Sequence, residues 1–142
     1  MLEESDEASV LPGKGMRHVR IYILDGDEDA CTVTAGMLTD YADLDLVGCS
    51  SDPSLGLSEI RRLGPDALFV ETRFGAMSGL SFCDKLRLEL PGLRVVYVTG
   101  SREYAIEAFE QQAFDYLIKP LSRERLERTV SRLRRFGGSL RQ

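Results

Sequence analysis

The chain has 142 residues, 43% of them hydrophobic and 29% charged, with a formal net charge of −5. That length supports one globular core and not two, the acidic balance argues against a general nucleic-acid binder, and no apolar run approaches the ~20 residues that span a bilayer. No charged-then-apolar leader suggests export, so a cytoplasmic location with no membrane contact is expected. The single histidine, His18, removes most histidine-based metal and acid/base schemes. The three widely spaced cysteines, Cys31, Cys49 and Cys83, read as reduced core or near-core thiols.

Residues 1–18 read as a flexible leader: Glu3, Glu4, Asp6 and Glu7 form an acidic patch, Pro12-Gly13-Lys14-Gly15 breaks regular structure, and Met16 is an alternative start. Val19 to Leu24 reads as a first strand that delivers Asp25-Gly26-Asp27-Glu28-Asp29 at its carboxyl end. From Asp29 to Tyr41, Ala30, Val33, Met37, Leu38 and Tyr41 recur at helical spacing, with acids ahead of them to suit the helix N-terminus. Leu46 to Cys49 is a second strand. Asp52-Pro53 is an N-cap and first-turn proline for a helix with Leu55, Ile60 and Leu63 inward, stopped by Gly64.

Ala67-Leu68-Phe69-Val70 is a short, fully apolar run after Gly64-Pro65-Asp66, the pattern of a central parallel strand, and it leads straight into Glu71. The third helix runs from about Gly79 to Leu90, with Leu80, Cys83, Leu86 and Leu90 inward. Val95 to Val98 is a fourth strand with the polar tip Thr99-Gly100-Ser101. Glu103 to Gln112 is a fourth helix with Tyr104, Ala105, Ala108 and Phe109 on one stripe. Tyr116 to Ile118 is a fifth strand capped by Lys119-Pro120, and the last helix, about Ser122 to Phe136, buries Leu126, Val130 and Leu133. Five strands alternating with five helices predict an α/β, doubly wound, three-layer sandwich around a parallel sheet. Its functional edge lies at the carboxyl ends of the strands, where Asp25 and Glu71 both sit.

From about Val19 to Arg135 the chain resembles the receiver domain of two-component response regulators. The resemblance rests on Asp25 at the first strand tip, Met77-Ser78-Gly79-Leu80 after the third strand, Thr99 after the fourth and Lys119-Pro120 after the fifth. The run Glu103 to Phe109, followed by Asp115 to Pro120, is similar to receivers of the LytTR type, whose usual partner is a C-terminal DNA-binding domain. The resemblance implies a flavodoxin-like sheet of order 2-1-3-4-5 over residues 19–136. It also implies an acceptor carboxylate on the third strand, Mg2+ on first-strand acids, and Thr99 and Lys119 as switch residues. Tyr116 matches an aromatic that moves on activation, and Lys119-Pro120 a cis peptide.

Two positions depart from the family pattern. Glu71 replaces the acceptor aspartate, and Gly26 replaces the second of the paired metal-binding acids. Glutamate reaches about 1.5 Å further by one bond, and misplacing a reacting atom by roughly 1 Å can cost on the order of a hundredfold. The acids left at the pocket are Asp25 and Asp27. As metal ligands only Asp25 and Glu71 match, which makes Mg2+ binding weak or lost. Asp27 lies at the helix start, pointing elsewhere. The longer Glu71 is expected to fill the place of a phosphoryl group, within reach of Lys119 and Thr99. The expectation is therefore a pseudo-receiver, non-enzymatic and without a cofactor, that works through protein contacts. The alternative is a Mg2+-dependent receiver phosphorylated by a histidine kinase.

Simpler readings stand beside these. Asp25, Asp27 and Asp29 also suit solvated acids opening a helix, Lys119 a surface lysine, Thr99 a capping hydroxyl, and Tyr116 a half-buried strand residue. Phe74 either covers the pocket or packs as an ordinary aromatic, and Gly75-Ala76 gives a looser loop than the family's Pro-Gly. Leu24-Asp25-Gly26-Asp27 resembles the opening of haloacid-dehalogenase-type phosphatases, but Asp29 stands where a Thr or Val is expected. An EF-hand is rejected, because Ala30 and Gly36 replace the required glycine and glutamate.

The last helix carries Arg123, Arg125, Arg128, Arg132, Arg134 and Arg135 against Glu124 and Glu127, and the fourth carries Glu103, Glu107 and Glu110. Its basic residues read as a solvated face pairing with acids of the neighbouring helix, or as a contact surface. By resemblance, the fourth helix, fifth strand and fifth helix form the face for a partner, an output domain or a homodimer. Residues 137–142 read as a tail or the start of a linker, with DNA reached only through an output domain outside this chain.

Overall fold

The structure is a computed structural model that describes residues 18–136; the expected leader, apart from His18, and the tail over 137–142 lie outside the described residues. The elements are β1 (Val19–Leu24), α1 (Glu28–Leu38), β2 (Leu44–Ser50), α2 (Pro53–Leu63), β3 (Ala67–Val70), β4 (Arg73–Phe74), β5 (Met77–Ser78), α3 (Gly79–Glu89), β6 (Arg94–Thr99), α4 (Ala105–Glu110), β7 (Asp115–Ile118) and α5 (Arg123–Phe136). Five strands form one sheet in the order β2-β1-β3-β6-β7, every pair parallel. This is the flavodoxin-like 2-1-3-4-5 order once the small β4–β5 hairpin is set aside. Among the described residues no helix is long and apolar enough to cross a membrane.

The three layers follow from side-chain alternation in strands that are buried on both faces. Ile21, Ile23, Phe69, Val96 and Val98 face α1 and α5, meeting Cys31, Leu38, Leu126, Val130 and Leu133. Tyr22, Leu24, Leu68, Val70, Val95 and Tyr97 face the other way onto Ile60, Leu80, Cys83, Leu86 and Ala108 from α2, α3 and α4. The helices start where their caps put them. Asp27 accepts hydrogen bonds from the N–H groups of Asp29 and Ala30, Asp52 caps α2 ahead of Pro53, and Ser78 caps α3. Gly64 closes α2 in the left-handed conformation, with φ of 56°.

Several details differ from the periodicity reading. α1 stops at Leu38, so Tyr41 lies beyond it, and α4 is only Ala105–Glu110 because Gln112 turns the chain with φ of 65°. Val33, Leu55 and Phe109, expected inward, are 59%, 52% and 75% exposed. A helix on an open sheet buries only one stripe, and these residues lie outside it. Cys49 is exposed rather than near-core, because β2 is an edge strand. Arg123, Arg125, Arg132 and Arg134 of α5 pair with Asp40, Asp43 and Asp115, not with the acids of α4, since α5 packs between β7 and the α1–β2 turn.

Of the described glycines, Gly79 leaves the least room for a side chain. Its N–H donates to the Thr72 carbonyl at 2.7 Å, and a Cβ added there would come within 2.1 Å of the Glu71 carbonyl oxygen. The turn through β4 and β5 therefore brings α3 back directly under the end of β3, fixing the backbone that carries Glu71. Overpacking against backbone typically costs ~1–3 kcal/mol, so Gly79→Ala lowers the unfolding free energy by about 2 kcal/mol or more in urea melts. Gly36→Ala, at an exposed position of α1 with nothing near the added carbon, is the control and raises stability by up to ~1 kcal/mol.

Candidate functional site

The register of four adjacent strands brings their carboxyl ends to one edge. Leu24 pairs with Val70, Val70 with Tyr97, and Thr99 with Ile118. The next residues continue the ladders, the Glu71 N–H donating to the Leu24 carbonyl and the Lys119 N–H to the Thr99 carbonyl. Asp25, Glu71, Thr99 and Lys119 are thereby gathered from positions spread along most of the chain. The Lys119–Pro120 peptide is cis, and Pro120 is exposed.

At this edge Lys119 Nζ donates to Asp25 Oδ2 at 2.8 Å and to Glu71 Oε1 at 2.9 Å. Asp25 is 4% exposed, and its Oδ1 accepts from the Asp27 N–H at 3.0 Å. Glu71 Oε2 accepts from the Thr72 N–H at 2.7 Å and the Thr72 hydroxyl at 3.1 Å. Thr72 Oγ1 lies 3.1 Å from Thr99 Oγ1, which in turn accepts from the Ser101 N–H at 3.2 Å. A hydroxyl has one proton. With that of Thr72 given to Glu71, Thr99 donates to Thr72, and a directed chain runs from Ser101 to the Glu71 carboxylate. Tyr116 joins it from β7, its hydroxyl donating to the Ser101 carbonyl at 2.6 Å while its ring tilts against that of Tyr97.

Burial pushes the Glu71 carboxyl up, but the Thr99 hydroxyl, the Lys119 ammonium and the Thr72 N–H outweigh it and hold the group below its ordinary value of 4.5. Burial pulls Lys119 down, but its bonds to Asp25 and Glu71 prevail and hold it above 10.5. Both groups are therefore charged at neutral pH.

Asp27 caps α1, its Oδ1 taking the Asp29 N–H at 2.9 Å, so it is turned away from the lysine. A Cβ on Gly26 would meet Phe74 Cδ1 at 3.5 Å, which places Phe74 alongside the acid edge. The fit of a Mg2+ ion can be judged from the donor set. Two carboxylates remain, one ammonium already bridges them, and among the described residues no group of three or more His, Cys, Asp or Glu side chains is placed to hold a metal. This set does not fit a hard cation that needs several unengaged oxygens.

Sequence reading put Thr99 within reach of Glu71, and the Thr99 hydroxyl does act on that carboxylate; the structure adds Thr72, 2% exposed, whose hydroxyl meets both Glu71 and Thr99. Thr72 was missed. Its only signal was a hydroxyl directly after a strand-end acid, a pattern too common to single it out. Ser101 was read as part of a polar tip, and its role as the junction of Thr99 and Tyr116 depends on loop geometry.

Removing the shared cation leaves two carboxylates facing each other in a mostly buried setting. Lys119→Met is expected to lower the unfolding free energy at neutral pH by about 2–3 kcal/mol, below the ~3–5 of a fully buried pair. The pH dependence follows from the signs. The depressed Glu71 contributes stability above its unfolded value that is lost as pH falls through the folded one, and the raised Lys119 contributes stability that is lost as pH rises through its folded value. Glu71→Gln therefore makes the acid limb of a stability–pH curve shallower, while Asp43 and Asp115, also depressed, keep the rest. Urea melts across pH check both.

Comparison with known proteins follows the same lines. The chain is 36% identical over 116 residues to the transcriptional regulatory protein BtsR of Escherichia coli K12, covering 82% of this chain and 48% of that protein. It is 37% identical over 114 residues to a response regulatory protein of Vibrio cholerae, covering 80% and 47%. The chain thus spans about half the length of the curated relatives it matches. Among solved structures, the REC domain of the response regulator AraT from Geobacillus stearothermophilus superimposes with a TM-score of 0.74 at 25% identity, over 87% of this chain and 98% of that one. The REC domain of RcsB from Salmonella enterica serovar Typhimurium shares the fold, with a TM-score of 0.75 at 14% identity over 84% and 90%. With the family model of the response regulator receiver domain matching residues 21–131, the chain belongs to the receiver domains of two-component response regulators.

Proposed function

We propose that this receiver is a pseudo-receiver of the LytTR type, cytoplasmic and non-enzymatic, whose signalling state does not depend on phosphorylation. The observation that carries the reading is Lys119 Nζ held between Asp25 and Glu71. A phosphorylatable site needs an acceptor oxygen free to attack and a metal to screen developing charge. Here the carboxylate at the acceptor position is engaged on both oxygens, and glycine stands at one metal position. The longer side chain places a negative charge against Lys119, where a phosphoryl group would otherwise put one. The Thr72–Thr99–Ser101 chain and Tyr116 then carry that arrangement to the loop before α4.

Output in this reading passes through protein contacts. Ile106 and Phe109, each 75% exposed on α4, offer apolar anchors on the face formed with β7 and α5. Its partner is an output domain outside this chain, a second copy, or another protein, and any DNA contact belongs to the output domain. The second reading is a Mg2+-dependent receiver phosphorylated by a histidine kinase; what favours it is that Asp25, Thr99 and Lys119 still converge.

The two readings separate in an NMR titration with Mg2+ and then with beryllofluoride plus Mg2+. The pseudo-receiver predicts no saturable amide shifts at Glu71, Thr99 and Lys119, and predicts that Glu71→Asp with Gly26→Asp introduces them. Saturable shifts in the unaltered chain overturn it in favour of the second reading.

A further inference from the structure

At the amino end of the sheet, opposite the acid edge, three arginines from separate elements line one cavity of about 330 Å³: Arg87 of α3, Arg94 at the start of β6 and Arg132 of α5. The turn that follows α4, Gln112 to Phe114, forms its rim, and no carboxylate is among the lining residues. We propose that this cavity is a binding site for a small phosphate-bearing anion.

The cations are held in place before any ligand arrives. The guanidinium carbons of Arg94 and Arg132 stand 5.9 and 4.3 Å from the centre of the Phe114 ring. Arg132 Nη1 donates to the Phe114 carbonyl at 2.9 Å, and Arg87 Nη1 donates to the Gln111 carbonyl. Asp115 lies 3.5 Å from Arg132, but its carboxylate is already taken by Arg125 and Thr129.

Each guanidinium has five N–H donors, so these bonds leave donors on all three. Arg94 Nε is buried with no hydrogen-bond partner, a rare condition in folded proteins, and the neighbouring Arg94 nitrogens belong to a residue that lines the cavity. Forked donors opposed only by the Asp115 carboxylate, which pairs with Arg132 at 3.5 Å and is held more closely by Arg125 and Thr129, select an oxyanion, and phosphate suits them because its oxygens accept from several forks at once. The volume is at the lower end of the roughly 300–1,000 Å³ typical of ligand pockets, which suits a phosphorylated small molecule rather than a polymer.

The cavity also touches α4. Gln111, whose carbonyl Arg87 holds, accepts from the Tyr97 hydroxyl through its side-chain oxygen and donates to the Leu80 carbonyl at 2.7 Å. An anion drawing on Arg87 therefore acts on the residue that closes α4. None of this depends on whether the acid edge takes up phosphate.

The test is an NMR titration of the whole chain with inorganic phosphate and, separately, with glycerol 3-phosphate, against chloride at equal ionic strength. Saturable shifts at the Gln112, Ala113 and Phe114 amides are expected, weakened on the order of tenfold or more by Arg94→Met. Arg94→Lys, which keeps the charge and loses the fork, is expected to weaken binding as well and serves if the methionine variant does not fold. Equal saturation by the two anions identifies phosphate itself as the ligand; tighter binding of the ester identifies a phosphorylated metabolite. No saturation at these amides, equal shifts with chloride, shifts confined to Glu71, Thr99 and Lys119, or unchanged affinity in both Arg94 variants would overturn the proposal.

Discussion

One ammonium group shared by two carboxylates organises the functional edge. Lys119 reaches Asp25 and Glu71 only because β1, β3 and β7 end at matched heights with β6 between them. The backbone under Glu71 is in turn fixed by Gly79, where α3 passes too close for any side chain. Charges this poorly solvated are tolerated when paired and hydrogen-bonded, and the groups around them supply what the lysine does not. The Asp27 N–H completes Asp25, and both polar groups of Thr72 complete Glu71. Every oxygen of the two carboxylates has a partner within the protein.

That closure has consequences at a distance. The hydroxyls of Thr72 and Thr99 pass the position of Glu71 to the Ser101 backbone, where the Tyr116 hydroxyl also lands. The loop before α4 thus depends on the acid edge, and the turn after α4 depends on Arg87 and Gln111. A short helix held at both ends by different networks is suited to report on either, and in the proposed reading its exposed Ile106 and Phe109 supply the contact surface. In the proposed reading, Glu71 holds the first network in one arrangement, leaving the arginine-lined cavity as the end open to a ligand.

The fold was legible because each local signal agreed with the others. The apolar run of β3, the Asp52-Pro53 start and Gly64 stop of α2, and the alternation of strand and helix all pointed to one parallel sheet. Inward faces were less legible. Val33, Leu55 and Phe109 fit a helical period yet lie outside the buried stripe, since periodicity fixes spacing and not the edge of the stripe. At the site, Asp25, Glu71 and Lys119 were readable as strand-end residues. Thr72 was not, because its role rests on the rotation of one side chain between Glu71 and Thr99. The arginine cavity was invisible for a related reason. Arg87, Arg94 and Arg132 are separated in sequence and converge only through packing, and the α5 arginines read as a solvated face.

The central claim is that Glu71, held by Lys119 and Thr72, does not accept a phosphoryl group. The most direct measurement is intact-protein mass after incubation with acetyl phosphate and Mg2+, with Glu71→Gln alongside. The account predicts the same unchanged mass for both proteins. A gain of one phosphoryl group in the unaltered chain that is absent from Glu71→Gln would contradict it.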